Sequence, residues 1–242
     1  MKDKSLAVMQ PYFLPYLGYF SLIRSVDHFV FFDDVQYQRK SWMSRNRLQN
    51  IEKGIPFYIR PDIIKPKYKE YLPSVCLDNQ SNWKNKLREQ MVGYKAKVGF
   101  YNEAVEVLDA VLKIESEKLV DFNIESTKLI SQFLGLETEF SKFSDYNFWF
   151  ERKPTAATWG FEIAKSFCAK QYINAPGGED FIFPDTFSES KIKLGFIQPE
   201  LGENYSNINK FIPGLSIIDV IAFFGLNRTR EITDNYKIKW KN

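Results

Sequence analysis

Ser5-Leu6-Ala7-Val8-Met9-Gln10-Pro11 is an apolar run closed by a proline, and further along Phe29-Val30-Phe31-Phe32-Asp33-Asp34 repeats the pattern with an acidic close. Each run is short, continuous and apolar, which predicts a buried strand, and Pro11 ends the first by removing a backbone donor. Between them, Leu17, Phe20, Leu22 and Ile23 give a helix over residues 16–24 an inward face, and Ser25-Val26-Asp27 is a polar break. Strand, helix and strand in this order form a βαβ unit, whose strands are parallel and whose crossover is right-handed. The expected fold class is therefore α/β, with a parallel-sheet, Rossmann-like core. Such sheets bind ligands at the carboxyl ends of their strands, so residues 10–19 and 33–47 should meet at one edge.

Outward from this unit, residues 56–60 (PFYIR) read as a third strand, and residues 61–73, with three prolines, read as a loop solvated by Lys65, Lys67 and Lys69. From Trp83 the pattern turns helical. Tyr101, Val105, Leu108, Val111 and Leu112 keep a 3.6-residue spacing, as do Leu119, Phe122, Leu129, Ile130 and Phe133, and Gly135 is a suitable stop. Residues 83–135 are thus expected to form two or three antiparallel helices, a helical insert or subdomain between core segments 1–82 and 136–242. Later strands are expected at 140–143, 171–173 and 194–197, and helices at 158–168 and 216–224. No internal repeat or low-complexity tract interrupts the chain.

Composition narrows the function. The 242 residues, 44% of them hydrophobic, suffice for one large core and exclude a disordered chain. A net charge of +3 is too weak to imply nucleic-acid binding, although a basic pocket is compatible with it. The lone histidine, His28, excludes mechanisms that need two, and its place before a core strand makes it structural. Cys76 and Cys168 are read as reduced, buried thiols, with neither a disulfide framework nor a zinc site indicated. No apolar run approaches the roughly 18 residues of a membrane span, and residues 1–6 are no signal peptide, so the expectation is a soluble cytoplasmic protein. Aromatic residues make up 17% of the chain, which suits flat ligands, sugars or an aromatic core, and an aromatic surface would serve a homodimer.

The most informative segment is Gln10-Pro11-Tyr12-Phe13-Leu14-Pro15-Tyr16-Leu17-Gly18-Tyr19. It leaves a strand end, turns at prolines and a glycine and opens a helix, a place where free N–H groups favour anions. Its layout resembles the HxGH signature of nucleotidylyltransferases and pantothenate synthetase, with Tyr16 and Tyr19 standing around Gly18 in place of the two histidines. Tyrosine keeps a hydrogen-bond donor but supplies no cation near neutral pH, since it titrates near 10. The turn is thus expected to bind phosphate without ordinary adenylyl transfer. The structural alternative is that both tyrosines pack the helix start.

The ordered motifs QPYFLPYLGYFSLI, FFDDVQYQRKSW with SRNR, YINAPGG and FIPGLSIIDVIAFFG resemble the WbqC-like family from Met9 to about Gly225. The resemblance implies a bacterial surface-polysaccharide setting, because WbqC-like genes lie in O-antigen clusters, some of which specify N-acylated amino sugars. By analogy with the amide-forming pantothenate synthetase fold, it implies an acyl- or aminoacyltransferase acting on the amine of a nucleotide-linked amino sugar. The donor would be a pre-activated thioester or ester, carrier-bound or aminoacyl, with ATP and Mg²⁺ as the other option and no complete metal-ligand set. Alternatives are a nucleotidylyltransferase-like enzyme and a non-catalytic nucleotide-sugar-binding partner in polysaccharide assembly.

The candidate residues follow from chemistry and from these motifs. Asp33 or Asp34 would act as general base on the amine, and Tyr16 and Tyr19 would contact phosphate beside Gln10, Tyr12 and Gly18. Gln36, Arg39, Lys40, Trp42, Arg45, Asn46 and Arg47 mix cations for phosphates with amides for sugar hydroxyls and an indole for stacking. Arginine's fork makes Arg45 or Arg47 a better anchor than Lys40. Asn174, Gly177 and Gly178 follow another strand, where glycine allows close backbone approach. Asp219 is either a buried acid of the site or, with Ser216 as N-cap, part of a first-turn pair.

Overall fold

A computed structural model describes residues 4–67, 69–150, 153–188, 190–200, 212 and 214–241. Residues 211 and 213 of the fourth motif lie outside the described residues. The βαβ unit is present as β1 (Ser5–Met9), α1 (Leu17–Arg24) and β2 (His28–Phe31), with β1 and β2 parallel in the register Leu6 to His28 and Met9 to Phe31. With β5 (Glu139–Lys142), β6 (Gln171–Asn174), β7 (Lys193–Pro199) and β8 (Tyr236–Lys241) they form one sheet in the order β5-β2-β1-β6-β7-β8. All pairings in it are parallel except β7 with β8.

Both faces of this sheet are covered, which is why its strands read as continuous apolar runs. Alternation divides the side chains. Ala7, Phe29, Phe31, Ile173 and Ile197 join one core with α1, α2 (Trp83–Gln90), α3 (Tyr101–Leu112), α4 (Leu119–Phe133) and α7 (Ile217–Thr233). Leu6, Val8, Val30, Tyr172, Leu194 and Phe196 join a second core under α5 (Trp159–Ser166) and α6 (Pro184–Ser188). Gly135 ends α4 at φ +65°: its N–H donates to Gln132 O at 3.0 Å, and the Leu136 N–H donates to Ser131 O at 2.9 Å. This is the paired closure of a Schellman stop.

Three expectations need correction. The strand expected at 56–60 is β4 (Ile55–Ile59), but it pairs antiparallel with β3 (Asn46–Asn50) in a separate two-stranded sheet. Asn46 and Arg47, expected in a loop, are therefore strand residues, hidden by the polar composition of NRLQN. The helix expected at 216–224 is present as the first part of α7, and across Gly225, whose φ of +74° is not helical, a second helical stretch runs on to Thr233. A β-carbon at Gly225 would lie 2.6 Å from Phe100 Cδ1, so close packing holds that position as glycine. The thiols are free but not buried: Cys76 is half-buried beside Lys118 and Cys168 is exposed in the turn after α5.

Candidate functional site

The direction of the chain across the sheet reverses between β1 and β6: β2 and β5 lie to one side of this pair, β7 and β8 to the other. At such a switch point the loops leaving the two strands part and open a crevice. A cavity of about 340 Å³ occupies it, lined by Met9 at the end of β1, Tyr12, Tyr16, Trp42, Asn46, Gly214 and residues 175–177 beyond β6. The expected meeting of the loops after β1 and β2 takes place at this cavity.

Two buried amides fix that meeting. Asn46 Nδ2 donates to Phe13 O at 3.1 Å and to Leu14 O at 2.6 Å, and Asn46 Oδ1 accepts the Arg47 N–H at 2.8 Å. Asn123 on α4 donates from Nδ2 to Pro11 O at 3.0 Å and to Met43 O at 2.8 Å. The Phe13 N–H donates to Trp42 O at 2.8 Å, and Leu14 is held at φ +43°, a strained conformation that persists only because its surroundings enforce it. The start of α7 closes the wall, with the Ile217 N–H on Pro15 O and the Ser216 N–H on Arg47 O.

The three tyrosines differ in what they can do. Tyr19 is fully buried and its hydroxyl donates to Gln10 O at 2.9 Å, so it supports the loop and does not line the cavity. Tyr12, whose ring centroid is 5.5 Å from that of Tyr19, and Tyr16 both line the cavity. Burial, with Tyr16 nearby, pushes the Tyr12 phenol up to about 12, and burial raises Tyr16 as well. Both therefore remain protonated donors at neutral pH. Gly18 serves packing: a β-carbon there would lie 2.6 Å from Tyr16 Cε2.

The second motif divides between two places. Trp42 and Asn46 face the cavity, and the Arg47 guanidinium sits 5.2 Å over the Trp42 ring while its Nη2 donates to Gly214 O at 3.4 Å. Arg47 thus joins two wall residues, Trp42 and Gly214, with its Nε buried and without a partner. Arg39, Lys40 and Arg45 line a different recess, beside the β3–β4 hairpin, and Gln36 is exposed and bridged to Tyr71.

The acids stand away from the cavity. Asp33 is buried, and its two oxygens accept the Ser144 N–H at 3.0 Å and the Ser144 hydroxyl at 2.5 Å, so the carboxylate expected as general base anchors the loop after β5. Asp34 is exposed and lines neither this cavity nor the recess by the hairpin. Asp219 is a buried acid on α7 that accepts the Tyr94 hydroxyl and the Gln49 N–H at 3.1 Å. Burial raises it to about 6. Ser216 does cap α7, taking the Ile218 N–H on its hydroxyl at 3.4 Å. Asn174 Oδ1 accepts the Ala175 N–H at 2.7 Å and its Nδ2 donates to the Tyr172 hydroxyl, which shapes the turn into the cavity. Gly177 opens onto the cavity, whereas Gly178 is packed against Ile182 and Phe196. His28 is buried at the opposite, amino end of β2, with Nε2 2.8 Å from Ser141 Oγ.

Met9, Ala175, Pro176 and Gly214 also line the cavity, and Asn123 fixes its loops, yet none of them was singled out from sequence. For Asn123 a signal existed, a lone amide on the apolar face of LVDFNIES. Among the described residues no group of three or more His, Cys, Asp or Glu side chains is placed to hold a metal ion, and no helix is long and apolar enough to cross a membrane.

No solved structure matches the chain. An uncharacterized protein of Mycobacterium tuberculosis, Rv1507c, is 24% identical over 223 residues, covering 92% of this chain and 94% of its own length. The model of the WbqC-like protein family matches residues 10–231, which take in the pinned loops, the cavity lining apart from Met9, and most of α7. The chain belongs to the WbqC-like protein family.

Proposed function

We propose that the chain binds a nucleotide-linked amino sugar of surface-polysaccharide assembly and transfers an acyl or aminoacyl group to its amine. The observation that carries this reading is the uncharged, aromatic-lined cavity at the switch point, with one arginine held against its wall residues Trp42 and Gly214. Trp42, Tyr12 and Tyr16 offer flat faces and hydroxyl donors to a sugar ring, and Arg47 offers a fork to the phosphate attached to it. The volume of about 340 Å³ suits one ring, not a whole nucleotide sugar, so the nucleoside extends past Arg47.

The reaction asks little ionisable chemistry of the protein. A sugar amine with the basicity of an α-amino group, which titrates near about 8, is partly neutral at neutral pH. Its nitrogen adds to the acyl carbon of an ester or thioester donor, the C–N bond forms and the C–O or C–S bond breaks. The amine proton passes to the departing oxygen or sulfur. Alignment of amine and acyl carbon supplies the rate, with a Tyr12 or Tyr16 hydroxyl donating to the developing oxyanion. This assignment replaces Asp33 as base and leaves the donor a small or carrier-bound thioester or ester.

A second reading, sugar-nucleotide binding without chemistry, is favoured by one observation: no Ser, Thr, Cys, Lys, His or carboxylate side chain lines the cavity among the described residues. Nucleotidyl transfer is disfavoured because the Tyr19 hydroxyl is engaged by Gln10 O. Thermal shift and mass spectrometry against nucleotide-linked amino sugars, each with thioester, aminoacyl-ester or ATP partners, separate the cases. A melting shift lost in Arg47→Ala, with a sugar mass raised by an acyl unit, supports transfer. A shift without new mass leaves binding, and no shift for any nucleotide amino sugar removes both readings.

A further inference from the structure

The second recess, beside the β3–β4 hairpin, is larger than the cavity, at about 850 Å³. It shares a wall with the cavity: within residues 42–46, Trp42 and Asn46 face the cavity while Ser44 and Arg45 face the recess. Four cations line it, Arg39, Lys40, Arg45 and Arg60, with two tyrosines, Tyr37 and Tyr58. Two carboxylates share the recess and both are engaged: Asp62 lies 3.8 Å from Lys86 Nζ, and Asp78 accepts the Gln80 N–H at 3.2 Å.

The cations are not similarly engaged. Among the described residues, none of the four makes an ion pair. The Arg45 guanidinium carbon lies over the Tyr58 ring, 4.0 Å from its centroid, and Nε is buried without a hydrogen-bond partner. A buried guanidinium N–H left open is costly unless something fills it, and the remaining charges in the recess select an anion. The contact with Tyr58 restrains the guanidinium, whose fork suits two oxygens of one phosphate better than a lysine would. Lys40 is held at φ +62°, in the left-handed region that lysine seldom adopts, at the rim of the same recess.

We propose that this recess is a second, separate binding site for a diphosphate group. Arg45 and Arg60 grip the phosphates, Arg39 and Lys40 close over them, and Tyr37 offers a face to an attached base. The site stands apart from the acyl-transfer reading and from the sugar cavity, since neither the cavity residues nor a bound sugar is needed to fill it. The diphosphate has two sources, the nucleoside of a nucleotide sugar that reaches across the shared wall, or the phosphorylated adenosine end of a thioester donor.

Calorimetric titration of the full chain with inorganic pyrophosphate, ADP and adenosine 3′,5′-bisphosphate tests it. Binding is expected for the wild type, weakened about tenfold or more in Arg45→Ala and in Arg60→Ala and unchanged in the exposed-loop control Lys65→Ala. Arg45→Lys, which keeps the charge and loses the fork, is expected to weaken it as well. Melting temperatures of all variants show that each is folded. No binding of any of the three probes, equal binding by the arginine variants, or full retention in Arg45→Lys would overturn the site. A nucleotide sugar that competes with ADP assigns the site to the nucleoside of the sugar; bisphosphate bound beside a saturating nucleotide sugar assigns it to the donor. Either result supports the site, and a failure of amine acylation leaves this titration untouched.

Discussion

At Gly18 the methyl group of an alanine would lie 2.6 Å from Tyr16 Cε2 and 3.5 Å from Pro199 Cγ, so the ring of Tyr16 occupies the space that a side chain would need. The ring is at the cavity wall, so a shift that makes room for the methyl group alters the cavity. Gly18→Ala is therefore expected to leave the fold standing and to weaken a nucleotide amino sugar by about tenfold or more, read as a dissociation constant beside an almost unchanged melting temperature. Unchanged affinity would remove Tyr16 from the wall of the site. The sequence pointed to Gly18 through the layout of the turn and read it as a place where phosphate approaches; the constraint turns out to be the neighbouring ring. Tyr19 shows the same limit, because a tyrosine that meets a ligand and one that meets its own loop's carbonyl look alike until Gln10 O is placed beside it. Asp33, next to a strand end, also carried a pattern that fits catalysis, and only the distant Ser144 reveals its partner.

Among the elements, those with a self-contained pattern were legible. β1, β2, α3 and α4 bury whole runs or regular faces, and the chain reads them locally. β3 does not: NRLQN is polar because Asn46 faces loop carbonyls and Gln49 meets Asp219 through its N–H, contacts made by residues far away in sequence. β8 was legible and missed, for Tyr236, Ile238 and Trp240 alternate with lysines in the manner of an edge strand. The packing of α7 on β3 carries its own prediction. Burial raises the Asp219 carboxyl from 3.8 to about 6, against the opposing hydrogen bonds from Tyr94 and Gln49. The folded chain thus holds this proton more tightly than the unfolded one. The favourable contribution is full below the unfolded value, is lost as pH rises toward about 6, and stays lost above it, a change on the order of 3 kcal/mol. Asp219→Asn keeps an acceptor for the Tyr94 hydroxyl and the Gln49 N–H and cannot ionise. Urea unfolding of both proteins between about pH 4 and about pH 7 should show the variant gaining on the wild type as pH rises. A constant difference would mean that Asp219 does not titrate in the native state within this range.

Across the molecule, the site is closed by segments from both ends of the chain. The loop after β1 is held by Asn46 from the hairpin, by Asn123 from α4 and by the Ile217 N–H at the start of α7, while the far wall follows β6. The helices of residues 83–133 are not packed on themselves alone: Trp83, Leu87, Val107, Leu108, Phe122 and Ile130 share one apolar cluster with α1, α7 and the sheet residues Phe29, Phe31 and Ile173. Phe13, in the loop that walls the cavity, stacks on Phe122 with centroids 6.1 Å apart and meets Trp83 edge-on at 6.5 Å. Removing the helices would uncover this cluster and free the carbonyls that Asn123 holds, so opening them costs what opening the sheet costs. The expected outcome is a single transition: urea melts followed by far-ultraviolet circular dichroism, which reports the helices, and by tryptophan fluorescence should coincide. Native-state hydrogen exchange should give amides of α3 and α4 the same largest opening free energy as amides of β1 and β6. A first transition confined to residues 83–135, with β1 and β6 still protected, would instead make the helices a domain of their own and would require the loop after β1 to keep its shape without Asn123.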